Sequence, residues 1–394
     1  MTILWGVMCV LSAAAGLVWL SRHVMISVER RRDKVLTDAS PGPPAEAPAI
    51  TVVVAAKDEQ ENIETCVRTM LDQDYPNYRM VVCNDRSGDR TGEIVRRIAE
   101  ADARLRLIDV THLPDGWCGK NNAMQTGIAS SDSEWICMID ADCRQTSRRT
   151  LSAAMQYALD SSADLLSVLP NLEMEGFWEN VIQPVCGGVM MIWFLPDRVN
   201  DPRRPNAYAN GAFMLMKRSA YEAIGTHAAV KAEVNEDMHI AARVKQAGLN
   251  LKVIRNRGLY KVRMYTSLRQ IIRGWGRIFY GTFGTLRRLT ISLLVLAAMG
   301  IVPYAAAVAG LGAAASGARS PWALACGLAG AAAVAMQVSV IHRFYSLVGA
   351  RKELAWTYVI GCAMAVVSLC VSLSKLRKGA TVTWRGTSYD SLPK

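Results

Sequence analysis

Hydrophobic positions fall along this chain in two rhythms. Four long runs carry no charge: residues 3–20 at the start, and 289–317, 321–341 and 354–374 near the end. Each approaches or exceeds the roughly 18 to 20 residues a helix needs to cross the hydrocarbon of a bilayer. Between them, over residues 50–266, short apolar segments alternate with helix-like stretches. Residues 51–56, 79–83, 105–110, 135–139 and 164–169 read as strands, and 62–71, 92–101, 148–160 and 238–246 as helices. That alternation predicts right-handed βαβ units and an α/β domain with a Rossmann-like, mostly parallel sheet. Ligands bind such sheets beyond the carboxyl ends of the strands. Lys57, Asp58, Glu59, Asn84, Asp85, Asp140 and Asp142 end these strands, so an acidic cluster is expected along one edge.

The first run is followed, not preceded, by positive charge: Arg22, Arg30, Arg31, Arg32 and Lys34. Residues 1–22 therefore read as a transmembrane anchor with its C-terminal side in the cytoplasm, a cleaved signal being the alternative. Residues 23–49 read as a basic juxtamembrane segment and a Pro-rich linker. Residues 267–285 place Leu268, Ile271, Ile272, Trp275, Ile278 and Phe279 on one helical face, with Arg269, Arg273 and Arg277 on the other. This is the pattern of a helix lying in the headgroup plane. Residues 177–195 are apolar nearly all round and fit either a lipid-accessible groove or the core. Residues 286–376 hold the remaining membrane segments and 377–394 a tail. Three crossings would put that tail outside, yet Lys375, Arg377, Lys378 and Arg385 favour the inside. Either one segment is re-entrant or the tail is an exception; a cytoplasmic tail would let Trp384 and Arg385 reach the mouth of the site.

The 394 residues are 51% hydrophobic and 20% charged, with a formal net charge of +11. Much of the positive charge flanks apolar runs (Arg287, Arg288, His342, Arg343, Arg351, Lys352), which fits lipid headgroups and not nucleic acid. Ten cysteines stand singly, without a Cys-x-x-Cys pair, and read as core residues in a reducing compartment.

Asp140-Ala141-Asp142 follows the fourth strand. Two carboxylates so spaced can share a hard divalent cation, Mg²⁺ or Mn²⁺, with phosphate oxygens completing its shell. A solvated turn is the plainer explanation of such a pair. Glu236-Asp237 opens a helix, either as a simple cap or as a general base for an acceptor hydroxyl. Lys120, after Gly119 at a helix start, suits a phosphate, or is an exposed loop lysine. His112, His227 and His239 have no metal-ligand spacing, although His227 or His239 could approach the cation in three dimensions.

Taken together, residues 51–280 resemble glycosyltransferase family 2, the inverting enzymes of GT-A fold. The carriers of the resemblance are Val53 to Ile63, the Asn84-Asp85-Arg86-Ser87-Gly88-Asp89-Arg90-Thr91 segment, Asp140-Ala141-Asp142 and Asn235-Glu236-Asp237. The resemblance implies that Asp85 with Asp58 or Glu59 contacts the nucleoside, most often uridine. It implies that Asp140 and Asp142 hold the metal and diphosphate, and that Asp237, next to Glu236, is the base. Asn84 replaces the first Asp of the usual pair. The family's Q-x-x-R-W is altered to Gln270-Ile271-Ile272-Arg273-Gly274-Trp275. Gln270 and Arg273 remain candidates for the diphosphate, while Trp275 falls on the apolar face and reads as a membrane anchor. Gly116 to Lys120, Phe177-Trp178-Glu179 with Pro184, Gly211 to Arg218 and Val382 to Tyr389 look like hopanoid-associated and carotenoid glycosyltransferases, and more distantly ceramide glucosyltransferases. The expectation is a multi-pass membrane enzyme that passes a sugar from a nucleotide sugar to a membrane lipid acceptor, with its catalytic domain cytoplasmic. A processive polysaccharide synthase of the same fold and an inactive nucleotide- or lipid-binding membrane protein are the alternatives.

Overall fold

The computed structural model describes residues 2–32, 35–39, 42–317, 320–377, 381–384 and 387–390. Its first helix, α1 (Thr2–Arg32), runs on past the apolar stretch through the basic residues expected to begin a linker. Arg and Lys are good helix formers, and neither Pro nor Gly interrupts residues 21–32. Eleven strands follow: β1 (Val35–Thr37), β2 (Ile50–Ala56), β3 (Tyr78–Asp85), β4 (Leu105–Val110), β5 (Trp135–Asp140), β6 (Cys143–Gln145), β7 (Leu165–Leu169), β8 (Asn171–Leu172), β9 (Phe213–Lys217), β10 (Leu251–Arg257) and β11 (Tyr260–Val262).

Eight of them form one sheet in the order β1-β10-β7-β9-β5-β2-β3-β4, parallel except where β9 pairs antiparallel with β5 and β7. Central β2 and β5 are continuous apolar runs because helices cover both faces of a parallel sheet. The covering helices include α2 (Ile63–Leu71), α3 (Thr91–Ala99), α4 (Gly119–Ala129) and α5 (Thr150–Asp160). Register then gathers the site: Ala55 pairs with Asp140, and Ala56 with Asn84. The sheet is the mostly parallel, GT-A-like one expected. A small second sheet, β6-β11-β8, caps this edge. Strand β1 lies inside the expected linker and pairs with β10 through Val35 and Arg255. Three residues with only Leu36 buried are too few to show a period.

The other helices of the domain are α6 (Phe177–Trp193), α7 (Pro196–Asn200), α8 (Arg218–Ala223) and α9 (Glu236–Gln246). They are followed by α10 (Leu268–Phe283), α11 (Leu286–Gly300), α12 (Val302–Ala315), α13 (Pro321–Val348) and α14 (Tyr358–Ser374). Among the described residues, four stretches are long and apolar enough to cross a membrane: Ile3–Val28, Leu286–Ala315, Pro321–Val348 and Lys352–Ser374. The second breaks at Ile301, where Pro303 starts α12 near the N-terminus in which proline is tolerated.

A second hydrophobic core lies among α6, α10, α11, α14 and the end of α13. Here α10 departs from expectation. Ile271, Trp275 and Phe279 are buried by protein, so the apolar face does not lie open to a headgroup layer. Trp275, read as a membrane anchor, packs on Phe279 with ring centroids 5.5 Å apart. The segment has the two-faced pattern expected; what covers its apolar face is helix, not lipid. Residues 177–195, left open between groove and core, bury Val181, Ile182, Val185 and Val189 in the same core. Helix α14 touches the domain near both ends. Gly361 lies against the Val181 carbonyl of α6, and Ser372 Oγ donates to the Gly276 carbonyl of α10 at 2.7 Å. A polar clamp ties the layers. Buried Glu179 accepts from Arg263 at 3.1 Å, and Asn180 Oδ1 accepts from the Arg351 backbone at 2.8 Å. The tail forms a hairpin of β12 (Thr381–Trp384) and β13 (Thr387–Asp390). Lys378 and Arg385, expected to orient the tail and to reach the site, lie outside the described residues.

Candidate functional site

Two loops at the carboxyl edge of β2 and β3 are laced together. Asp58, in the left-handed region at φ 52°, accepts from Gly88 N–H at 2.8 Å and donates its own N–H to Ser87 Oγ at 3.0 Å. Asp tolerates that backbone better than most side chains do. Glu59 N–H donates to Thr91 Oγ1 at 2.9 Å, and Gln60 N–H to Asp89 Oδ2 at 3.0 Å. The side chain of Glu59 is nearly buried and accepts from Asn62 Nδ2. At the end of β3, Asp85 is buried and gripped by Arg86, Nε to Oδ1 at 2.8 Å and Nη2 to Oδ2 at 3.0 Å. A side chain at position 119 would collide with Asp85, so glycine alone lets α4 begin there. Asn84 turns away and donates to Asp109 Oδ1 at 2.8 Å.

The chain turns at Ala141, between Asp140 on β5 and Cys143 on β6. Lys120 Nζ, on the first turn of α4, sits 2.6 Å from Asp140 Oδ1 and 2.7 Å from Glu236 Oε1. The expectation of a phosphate contact thus meets two carboxylates instead. Burial opposes the lysine's charge, but Asp140 and Glu236 outweigh it and hold the ammonium well above the usual lysine range. Asp142 Oδ1 is buried without a hydrogen-bond partner among the described residues. Burial, then the charges of Asp140 and Glu59, push this carboxyl upward. An orphaned carboxylate oxygen beside other acids is the environment a divalent cation relieves, so the residues fit one. Among the described residues no group of three or more His, Cys, Asp or Glu side chains is arranged to hold a metal alone. The rest of such a shell must come from ligand oxygens or water.

Glu236 and Asp237 open α9. Asp237 accepts from Gly211 N–H at 2.9 Å and from its neighbour Met238 N–H at 2.8 Å. Burial first, then Glu236, raise its carboxyl. A Cβ at Gly211 would stand 3.2 Å from Lys120 Nζ, 3.5 Å from Asp237 Oδ2 and 3.6 Å from Glu236 Oε1, so Gly211 lies where the lysine and the two α9 acids meet. Asn235, just before, does not cap α9; it donates to the Ile278 carbonyl at 3.2 Å and Thr282 Oγ1 at 2.9 Å on α10.

Asp58, Glu59, Asp85, Lys120, Asp140, Asp142, Glu236 and Asp237 therefore share the sheet's carboxyl edge. Gln270 and Arg273 are exposed on α10, and Gln270 accepts from Thr266 N–H and Oγ1 near the start of its own helix. Among the described residues, neither has a hydrogen bond or ion pair to the acidic cluster. The histidines serve elsewhere. Buried His227 meets Tyr221 Oη at 2.7 Å and is pushed down to about 3 by burial and then by Lys120, and His239 pairs with Glu233 at 3.2 Å. Arg86, Gly211 and Asn235 escaped assignment to a role: each acts through a neighbour that spacing does not reveal.

The family model Glycosyl transferase family 2 matches residues 51–225. That segment, less than half of the chain, is similar to a family 2 glycosyltransferase domain. Among curated relatives, the probable glycosyltransferase YdaM of Bacillus subtilis is 34% identical over 99 residues, 25% of this chain and 23% of that protein. β-Monoglucosyldiacylglycerol synthase of Trichormus variabilis is 24% identical over 182 residues, 45% of this chain and 37% of the relative. The chain thus spans well under half the length of these relatives. Among solved structures, the mannosyltransferase PcManGT of Pyrobaculum calidifontis, in complex with GDP-Man and Mn²⁺, superposes with a TM-score of 0.53 at 18% identity. That match covers 84% of this chain and 98% of the other, and shows the fold.

Proposed function

We propose that this protein transfers one sugar from a nucleotide sugar, uridine-linked, to a hydroxyl of a membrane lipid, with inversion at the anomeric carbon. The observation that carries the reading is the single cluster of Asp140, Lys120, Glu236 and Asp237, tied through Asn235 to a helix of the apolar layer. Similarity to a synthase named for a glucosyldiacylglycerol supports a lipid acceptor.

Asp85, released from Arg86, and Asp58 or Glu59 receive the nucleoside. Asp140 and Asp142 would hold Mg²⁺ or Mn²⁺, whose Lewis acidity neutralises the departing diphosphate. Asp237, positioned by two backbone N–H groups, takes the proton of the acceptor hydroxyl as its oxygen bonds to the anomeric carbon. The bond from that carbon to the diphosphate oxygen breaks in the same displacement. A carboxylate whose proton affinity is raised by burial suits general-base work near neutral pH. Lys120 neutralises the cluster before the donor arrives and stands ready for its phosphates. Gln270 and Arg273, exposed on α10, are the candidates for the far side of the diphosphate.

The domain is assigned to the cytoplasmic side by the basic residues after the first span. Because α14 packs on α6 near one end and on α10 near the other, we take it to lie along the protein without crossing, which would return the tail to the same side. The positive charge of the tail is then accommodated without a third full crossing. Burial of Trp275 against Phe279 in the helix core counts against a processive synthase.

Membranes carrying the full chain, given radiolabelled UDP-sugars and a divalent cation, should yield a chloroform-soluble product bearing one sugar. A ladder of polymer would replace this reading with the processive one. UDP binding without any turnover would favour an inactive binding protein.

A further inference from the structure

The uncharged runs of α1 and α13 end side by side. After its run α1 reaches Arg22 and His23, and α13 reaches His342 and Arg343. Arg343 Nη1 donates to His23 Nδ1 at 2.8 Å and to the His23 carbonyl at 3.3 Å, while Nη2 donates to Ser27 Oγ at 2.8 Å. Ser27 Oγ donates its own proton to the His23 carbonyl at 2.9 Å. A cleft of about 320 Å³ opens here, lined by His23, Val24, Ser27, Val28 and Arg343. One turn earlier, Trp19 stands edge-on to Tyr358 at 5.7 Å, an aromatic at the level where spans commonly meet headgroups.

The charge of Arg343 has no acid to answer it among the described residues. Its partners are an imidazole, a carbonyl and a hydroxyl. A guanidinium stays ionised whatever its surroundings, and its planar fork matches two oxygens of a phosphate. Its Nε–H is not used by any of those three partners. His23 accepts through Nδ1, so its neutral ring carries the hydrogen on Nε2, a tautomer assigned from the partner, and brings a second donor. Beside these donors runs an apolar stripe. Leu20, Val24 and Val28, four residues apart on one face of α1, are 48%, 62% and 41% exposed. Polar donors at a span's end, next to exposed valines and leucine, suit an amphiphile with an anionic head.

We propose that this cleft binds the headgroup phosphate of an anionic bilayer phospholipid. Arg343 and His23 are the donors, and an acyl chain lies along Leu20, Val24 and Val28. Free phosphate offers the same oxygens but leaves the stripe uncovered. The site is built from membrane helices and is independent of sugar transfer; it fixes the depth at which α1 and α13 sit.

Native mass spectrometry of the full-length protein in detergent tests this, with dioleoylphosphatidylglycerol titrated in and phosphatidylcholine as the zwitterionic control. Wild type should retain one phosphatidylglycerol about tenfold more tightly than Arg343→Gln, and should prefer it to phosphatidylcholine. His23→Ala keeps the guanidinium and should lose part of that preference, which decides the matter if Arg343→Gln does not fold. Millimolar inorganic phosphate should leave the bound lipid in place. Equal retention by wild type and the folded variants would overturn the site. Displacement of the lipid by inorganic phosphate would overturn it in favour of a free-anion site.

Discussion

The carboxyl edge of the sheet and the helical layer beneath it are built on opposite terms. At the edge, acids crowd together: Lys120 answers Asp140 and Glu236, while Asp142 keeps an oxygen unpartnered among the described residues and Asp237 a raised proton affinity. Such an arrangement costs stability and is retained where charge must be met by a ligand. In the layer, Ile271, Phe279, Ala365 and Leu369 are all buried in one apolar cluster. A substitution at the edge should therefore change rate with little loss of stability, and one in the layer the reverse.

The sharpest break of that comparison comes from Asp237→Asn. Transfer should fall about a hundredfold or more, the usual contribution of a positioned base, while the melting temperature holds or rises. Unchanged transfer would remove Asp237 from the chemistry. In the other region, Phe279→Ala should cost about 3 to 5 kcal/mol by emptying a fully buried site against Phe283 and Trp275. Chemical denaturation of the detergent-solubilised protein measures this; a loss under about 1 kcal/mol would mean the layer is not a packed core.

Asn235→Ala acts on the joint between the regions. It removes two hydrogen bonds to α10, at 3.2 and 2.9 Å, and should lower kcat about tenfold with a small shift in melting temperature. An effect confined to stability would make Asn235 a packing residue only. The smallest effect is one of pH. The base must be deprotonated to act, and its carboxyl is raised by burial and by Glu236, so kcat/KM should climb with pH through a limb above the ordinary carboxylate range. Glu236→Gln removes the like charge and should move that limb to lower pH. A limb that stays in place would mean Glu236 does not act on Asp237.

The sequence made the sheet legible because central parallel strands announce themselves as apolar runs. Residues 105–110 were expected as a strand and are β4, and the strands expected at 135–139 and 51–56 each extend by a single residue. The acids followed, since each closes such a strand or opens the next helix. Where reading failed, two physical causes stand out. Strands β1, β6, β8 and β11 have two or three residues each, too short for a period. The amphipathic face of α10 is genuine, but an apolar stripe gives the direction of burial and not the partner, and α6 and α14 take the place expected for lipid. Gln270 and Arg273, expected at the diphosphate, lie exposed on the opposite face of α10 and remain open to a ligand. Asn235 and Gly211 take their roles only through neighbours that meet after folding.

The central claim is that Asp140, Lys120, Glu236 and Asp237 together present a nucleotide sugar to a lipid hydroxyl. Lipid mass spectrometry of cells expressing the wild-type chain, the Asp237→Asn chain or neither tests it most directly. A gain of one sugar mass on a single lipid class is expected in the wild-type cells alone. An identical lipid profile in all three, or the same sugar-bearing lipid in the Asp237→Asn cells, would contradict it.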